Sequence, residues 1–201
     1  MTRTQLEGTQ LSGARPLPGG AQAAGRAQLR GARQLPDCVQ IRAASAGDCE
    51  AITSFIAGLS LRARLLRFFT PASPPTSTVL RRMCGAAPGT DVLVATAGSA
   101  VIGHAMAVDG LGPDGRPAAD LGLVVADRWQ NRGLGSELLR RVTERAAGRG
   151  VRAAVMDVLP ENRQMLSMIS RRWADAGYEF SAGSVVVRVS LAAPPARGAA
   201  A

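Results

Sequence analysis

Between Cys38 and Leu191 the spacing of apolar residues switches repeatedly between every second position and every third or fourth, the periods of a strand and of a helix. "CVQIRAA" alternates and predicts a short strand. From Gly47 to Leu59, Ala51, Ile52, Phe55, Ile56 and Leu59 recur at helical spacing and predict a helix. "SLRARLLRFF" continues helically until Pro71, Pro74 and Pro75 forbid it, and a second helix is expected around Ser77 to Cys84. "DVLVATA" and "AVIGHAMAV" read as two strands joined by a Gly98-Ser99 turn, a hairpin signal. After the loop "DGLGPDGRP" comes a third strand, "ADLGLVVA".

A helix is expected from Gly133 to Ala147, with Leu134, Leu138, Leu139, Val142 and Ala146 on one side and Arg140, Arg141, Glu144 and Arg145 mostly on the other. Gly148 and Gly150 end it. "VRAAVMDV" predicts a strand, Glu161 to Ala176 a helix, and "SVVVRVSL" a last strand. The order βααβββαβαβ predicts an α/β fold with a mixed, mainly antiparallel central sheet and helices on both faces.

The two ends lack such periodicity. Residues 1–37, with "GGAQAAGRAQLRGARQ", predict a disordered low-complexity basic arm, and "AAPPARGAAA" (192–201) a disordered tail, leaving 38–191 as the folded domain. All 24 cationic residues are arginine, so lysine chemistry is excluded, and the formal charge is +9. That charge raises the question of nucleic acid. The folded region has no basic run and no aromatic-studded basic strand, which argues against it. Cys38, Cys49 and Cys84 are odd in number and widely spaced, with His104 the sole histidine. This predicts free, buried or half-buried thiols in a reducing, cytoplasmic compartment, neither a disulfide framework nor a metal site. Val92 to Val108 is interrupted by Thr96, Gly98 and Ser99, so no membrane span is expected.

Chemistry concentrates where the third strand runs through a turn with Gly133 and Gly135 into a helix. A helix start offers unpaired N–H groups and the positive end of a dipole, a natural phosphate site. A P-loop needs a lysine after its last glycine, and there is none. A dinucleotide fingerprint needs a third glycine at position 138, which is Leu. What remains is Gln130-Asn131-Arg132-Gly133-Leu134-Gly135, of the form Q/R-x-x-G-x-G/A. This resembles the acyl-CoA pyrophosphate loop of the GNAT superfamily, the Gcn5-related N-acetyltransferases. The flanking strand and helix, "VRAAVMDV" and "PENRQML" are similar to that family in order and spacing. "LSLRARLLRFF" resembles the "LS..SRYLRFF" segment of bacterial protein-acetyltransferase-like members.

The resemblance implies a GNAT fold over about residues 39–191 and transfer of an acetyl group from acetyl-CoA to a primary amine. The acceptor it implies is a protein lysine, with a small-molecule amine as the alternative and a non-catalytic acyl-CoA sensor as a third reading. It implies that Gln130, Asn131, Arg132, Gly133, Leu134, Gly135 and Ser136 hold the diphosphate. It also implies that the backbone of Leu123, Val124 and Val125 pairs with the pantetheine arm and that Asn162 contacts that arm. Aligning "ADLGLVV" with the family's "AEVAFVV" places Asp120 as the general base. Asp is one methylene short, so it would act through an ordered water. The family's tyrosine acid falls on Ile169 here, and its Gly-aromatic pair comes late, at Gly177-Tyr178. Gly122, inside a strand, implies a bulge or a close backbone approach. Asp109, Asp127, Glu137 and His104 are weaker candidates for proton transfer, and Trp173 reads as a packing residue.

Overall fold

The computed structural model describes residues 35–70, 75–112 and 115–191. Most of the expected basic arm and the whole tail lie outside these residues. The elements are β1 (Val39–Ala43), α1 (Cys49–Ala57), α2 (Leu61–Phe68), α3 (Ser77–Met83), β2 (Thr90–Ala97), β3 (Ala100–Leu111), β4 (Pro117–Val125), α4 (Leu134–Gly148), β5 (Ala153–Val158), α5 (Arg163–Arg172), β6 (Gly177–Ser181) and β7 (Ser184–Ser190). One sheet runs in the order β1-β2-β3-β4-β5-β7-β6. Every neighbouring pair is antiparallel except β4 with β5. The mixed, mainly antiparallel sheet expected from the sequence is what forms.

Alternation along the strands sends side chains to two cores. On one face, Leu93, Ala95 and Val125 join the buried side of α4, Leu134, Leu138, Leu139 and Val142, together with Ile169 of α5. On the other, Val92, Val94, Met106 and Val124 meet Ile52, Phe55 and Ile56 of α1, Ala63 of α2 and Met83 of α3. Helices therefore cover both faces. The apolar register of the sheet decides which helix goes where.

Three expectations need correcting. Cys49 and Cys84 are joined in a disulfide that ties the start of α1 to the end of α3, and only Cys38 is a free, exposed thiol. The two lie 35 residues apart in sequence but their Cα atoms are 5.1 Å apart, a closeness made by tertiary packing. The helix expected over Glu161 to Ala176 begins at Arg163, behind the Asn162 cap, and ends at Arg172. Trp173 already has an extended backbone, φ −127° and ψ 101°. Gly177-Tyr178 then opens β6, an edge strand not expected from the sequence, which pairs with β7 through Gly177↔Arg188 to Ser181↔Ser184.

One irregularity positions the site. β4 pairs with β5 only from Ala118↔Ala153 to Asp120↔Val155, although β4 runs on to Val125 and β5 to Val158. Beyond Asp120 the two strands part.

Candidate functional site

At the far end of β4 the chain turns through Asp127–Trp129 and reaches the predicted loop. The Gln130 side chain donates back to the carbonyl of Val125 (3.1 Å), fixing the loop to the strand. Asp127 accepts a hydrogen bond from Ser60 Oγ (2.8 Å), and Ser60 in turn caps α2 by accepting from the Ala63 N–H (3.1 Å). The turn and α2 are thus locked together. Asn131 (φ 60°) and Gly133 (φ 91°) take left-handed backbone, and the Asn131 side chain accepts from Gln164 of α5 (3.0 Å).

α4 then begins without a side-chain cap, whereas Ser60, Thr76 and Asn162 cap α2, α3 and α5. The first donor claimed within the helix is Glu137 N–H, to Gly133 O at 3.1 Å. The N–H groups of Leu134, Gly135 and Ser136 precede it and have no intrahelical partner. A Cβ at Gly135 would meet only ordinary contacts at 3.8–3.9 Å from Leu123, Met168 and Val125. The backbone at Gly135 is therefore open to close approach from the cavity side.

A cavity of ≈ 310 Å³ opens in front of this helix start. Of the predicted residues, Leu123, Val124, Val125, Gln130, Asn131, Gly133, Gly135, Ser136 and Asn162 line it. Leu134 and Arg132 do not. The Leu134 side chain is 1% exposed and belongs to the core, and Arg132 lies over the Trp129 ring, 5.5 Å from its centroid. Their main chain alone is placed to serve the loop. Asn162 uses its side-chain oxygen to cap α5 (Met165 N–H, 3.2 Å) while standing in the cavity wall.

Asp120 stands outside the lining, at the fork where β4 and β5 separate, paired with Val108 and Val155. Partial burial and, secondarily, the negative charge of Asp157 raise its carboxyl above the ordinary value. The other carboxylates considered are engaged elsewhere. Asp109 pairs with Arg149 (2.8 Å), and Glu137 binds Arg140 (2.6 Å) and Arg141 (2.7 Å). His104 is fully buried, and its Nε2–H donates to Met83 O at 2.9 Å. Desolvation pushes its pKa down to about 4, so it is a neutral packing group. Ile169 is wholly buried and Trp173 packs against the larger core, so neither presents an acid to the cavity.

Sequence reasoning missed Arg67, from the last turn of α2. Its guanidinium lies on Gly122 of β4, where a Cβ would collide with Nη2 and Cζ. The close approach expected at this interior glycine is therefore made by an arginine. Arg67 lines the cavity, its buried Nε has no hydrogen-bond partner, and its guanidinium lies over the Phe68 ring, 5.2 Å from the centroid. Burial lowers its pKa to about 10, which still leaves it charged at neutral pH. Among the described residues no group of three or more metal-ligating side chains is found, and no helix is long and apolar enough to cross a membrane.

With this geometry in place the comparisons are specific. The model of the acetyltransferase (GNAT) family matches residues 59–172, from the start of α2 to the end of α5. The chain belongs to the GNAT acetyltransferase family. It is an acyl-CoA-dependent N-acetyltransferase with acetyl-CoA as co-substrate. Similar solved structures include the GNAT domain of S. lividans PAT, 26% identical with a TM-score of 0.67, covering 76% of this chain and 90% of that one. A GCN5-related N-acetyltransferase from Kribbella flavida is 23% identical with a TM-score of 0.62, covering 78% and 100%. A putative acetyltransferase from Salmonella typhimurium, solved with acetyl-CoA, is also 23% identical, with a TM-score of 0.58, and covers 79% and 98%. No curated protein matches the chain. In this GNAT chain the fork between β4 and β5 and the uncapped start of α4 are the features that suit a long anionic thioester. The donor set fits: free N–H groups at one end and an unpaired strand edge at the other.

Proposed function

We propose that this GNAT enzyme moves the acetyl group of acetyl-CoA directly to a primary amine, with Asp120 taking the proton. The observation that carries the reading is the uncapped start of α4 opening onto a cavity walled by the unpaired stretch of β4. In this arrangement the N–H groups of Leu134, Gly135 and Ser136 donate to the diphosphate, and β4 beyond Asp120 pairs with the pantetheine arm.

An amine near its unperturbed pKa, about 10.4 for lysine, is protonated at neutral pH and has no lone pair to donate. Asp120 accepts its proton through a water, since the carboxylate stands at the fork and not in the cavity wall. The nitrogen then bonds to the carbonyl carbon, the C–S bond breaks, and the amine loses its second proton as the amide forms. The departing thiolate takes up one proton. The raised pKa of Asp120 helps here, because a stronger base accepts more readily.

The first acceptor reading is a protein lysine, supported by the α2 segment "LSLRARLLRFF". The second is a small amine, supported by Arg67, whose charge on the cavity wall has nothing to pair with on a plain lysine side chain.

Thiol release from acetyl-CoA over a panel of amines and lysine peptides tests the transfer. Asp120→Asn should lower kcat by about 10²- to 10⁴-fold, with the calorimetric affinity for coenzyme A unchanged. Turnover equal to the wild type would remove Asp120 from the mechanism, and binding without release from any amine would make the chain an acyl-CoA sensor.

A further inference from the structure

Arg67 is the group that the acetyl-transfer reading leaves unused. Arg67 is half-buried with its Nε out of contact with water, and a cation partly removed from water is ordinarily paired, because desolvating a charge without a partner is costly. Among the described residues Arg67 has neither an ion pair nor a hydrogen bond. The cavity wall carries no acid to neutralise it; its only other charged member is a second cation, Arg171, which donates to Ser167 Oγ at 2.7 Å. Its guanidinium faces the cavity, where an anionic group of a ligand would supply the missing counter-charge.

Position narrows the choice. Side chains at 120, 122 and 124 point to the same face of β4, and Val124 shows which face this is, since it packs in the core under α1, α2 and α3. Arg67, arriving from α2, occupies the place where a residue 122 side chain would have been. Asp120 is two residues along the same face, on the order of 6.6 Å away by strand rise. Asp157 is close enough to Asp120 to raise its pKa. The N–H groups proposed for the diphosphate line another part of the same cavity, at the start of α4, whose core side faces the opposite side of the sheet. One strand face thus presents a guanidinium and, two residues on, a pair of carboxylates.

We infer that the acceptor is a small amino acid-like zwitterion, whose carboxylate is held by the Arg67 guanidinium while its amine is directed towards Asp120. Guanidinium and carboxylate are matched in shape as well as charge, and two parallel N–H···O bonds fix the acceptor's orientation as well as its affinity. Arg67 is then the specificity-determining residue of the acceptor site. The glycine at 122 is what lets it lie flat on the strand. This inference rests on the acetyl-transfer reading and decides its acceptor in favour of the small amine.

The test uses the full chain, acetyl-CoA and matched acceptors: a set of free amino acids, their methyl esters, the corresponding decarboxylated amines, and a lysine peptide with blocked ends. Wild-type kcat/KM should favour the best free amino acid over its ester and decarboxylated amine by roughly 10²-fold or more, as for a site whose polar groups are left unpaired by the wrong substrate. In Arg67→Gln that ratio should collapse, chiefly through a higher KM for the amino acid. Arg67→Lys, which keeps the charge and is the safer variant for folding, should retain part of it. Calorimetry should find the affinity of both variants for coenzyme A equal to that of the wild type.

Equal rates on free and esterified acceptors, preference for the blocked lysine peptide, or a loss of coenzyme A affinity in Arg67→Gln would each overturn the inference while acetyl transfer stands. Absence of thiol release with every acceptor, with coenzyme A still bound, would remove the transfer reading and this inference with it.

Discussion

At the scale of single residues, the proposed chemistry turns on Asp120, whose carboxyl pKa is raised first by partial burial and then by the negative charge of Asp157. A base must be ionised to work, so kcat/KM should fall as the pH drops through this raised value, and the acid limb should lie above that of an unperturbed aspartate. Removing the neighbouring negative charge in Asp157→Asn should shift that limb to lower pH, without abolishing activity. A pH–rate profile in which Asp157→Asn leaves the limb in place would separate the limb from Asp120. Asp120 was reached from the sequence through the resemblance of "ADLGLVV" to the family's "AEVAFVV", and the structure puts it at the fork where β4 and β5 part. Gly133 was singled out by the loop pattern, and its φ of 91° is a conformation that favours glycine. Arg67 was not, because its partner strand is more than fifty residues away and an arginine on an amphipathic helix ordinarily reads as solvated. Gly122 held the only hint, a strand glycine with close backbone approach, but nothing in the sequence said what approaches.

At the scale of elements, α4 is both the helix proposed to hold the diphosphate and the clamp of the sheet. Its first-turn acid, Glu137, is held by Arg140 and Arg141, and Arg141 also donates to the carbonyl of Ile41 in β1 (3.0 Å). These hydrogen bonds, Arg140 foremost, lower the Glu137 pKa from 4.5 to about 2. A depressed carboxyl stabilises the fold above its unfolded pKa and loses that contribution as the pH falls towards the folded one. Stability attributable to Glu137 should therefore be complete near pH 5 and fade between about 4.5 and 2. In Glu137→Gln, unfolding free energy measured by denaturant titration should fall less steeply across that window; an unchanged slope would mean the ion pairs carry no net stability. The helix was easy to read because its apolar stripe spans four turns. β6 was hard for the opposite reason: all five of its residues are exposed, so "GYEFS" has no buried alternation to betray a strand and is defined by pairing with β7 alone.

At the scale of the whole molecule, the sheet divides the protein into a larger core under α4 and α5 and a smaller one under α1, α2 and α3. The loop before α4 leads into the first and Arg67 comes from α2 over the second, so on the readings proposed above the two substrates are held from opposite faces of the sheet within one cavity. The smaller half has short helices of 9, 8 and 7 residues, with residues 71–74 outside the described structure. It is the half that the Cys49–Cys84 disulfide spans. Closing a loop of 35 residues removes chain entropy from the unfolded state worth at most roughly 3–4 kcal/mol in the chain-entropy model. The Cys49→Ser/Cys84→Ser double variant, or the wild type under reductant, should therefore unfold at lower denaturant concentration. Because the cross-link fastens α1 to α3 around α2, the acceptor KM should rise in the reduced protein. Coenzyme A affinity should hold, since α4 and its loop lie in the other core. An equal loss of both would show that the sheet transmits disorder across its faces and that the two halves do not act separately. A reduced protein as stable and as active as the oxidised one would show that packing of Ile52, Phe55 and Met83 already holds α2 over β4 without the cross-link.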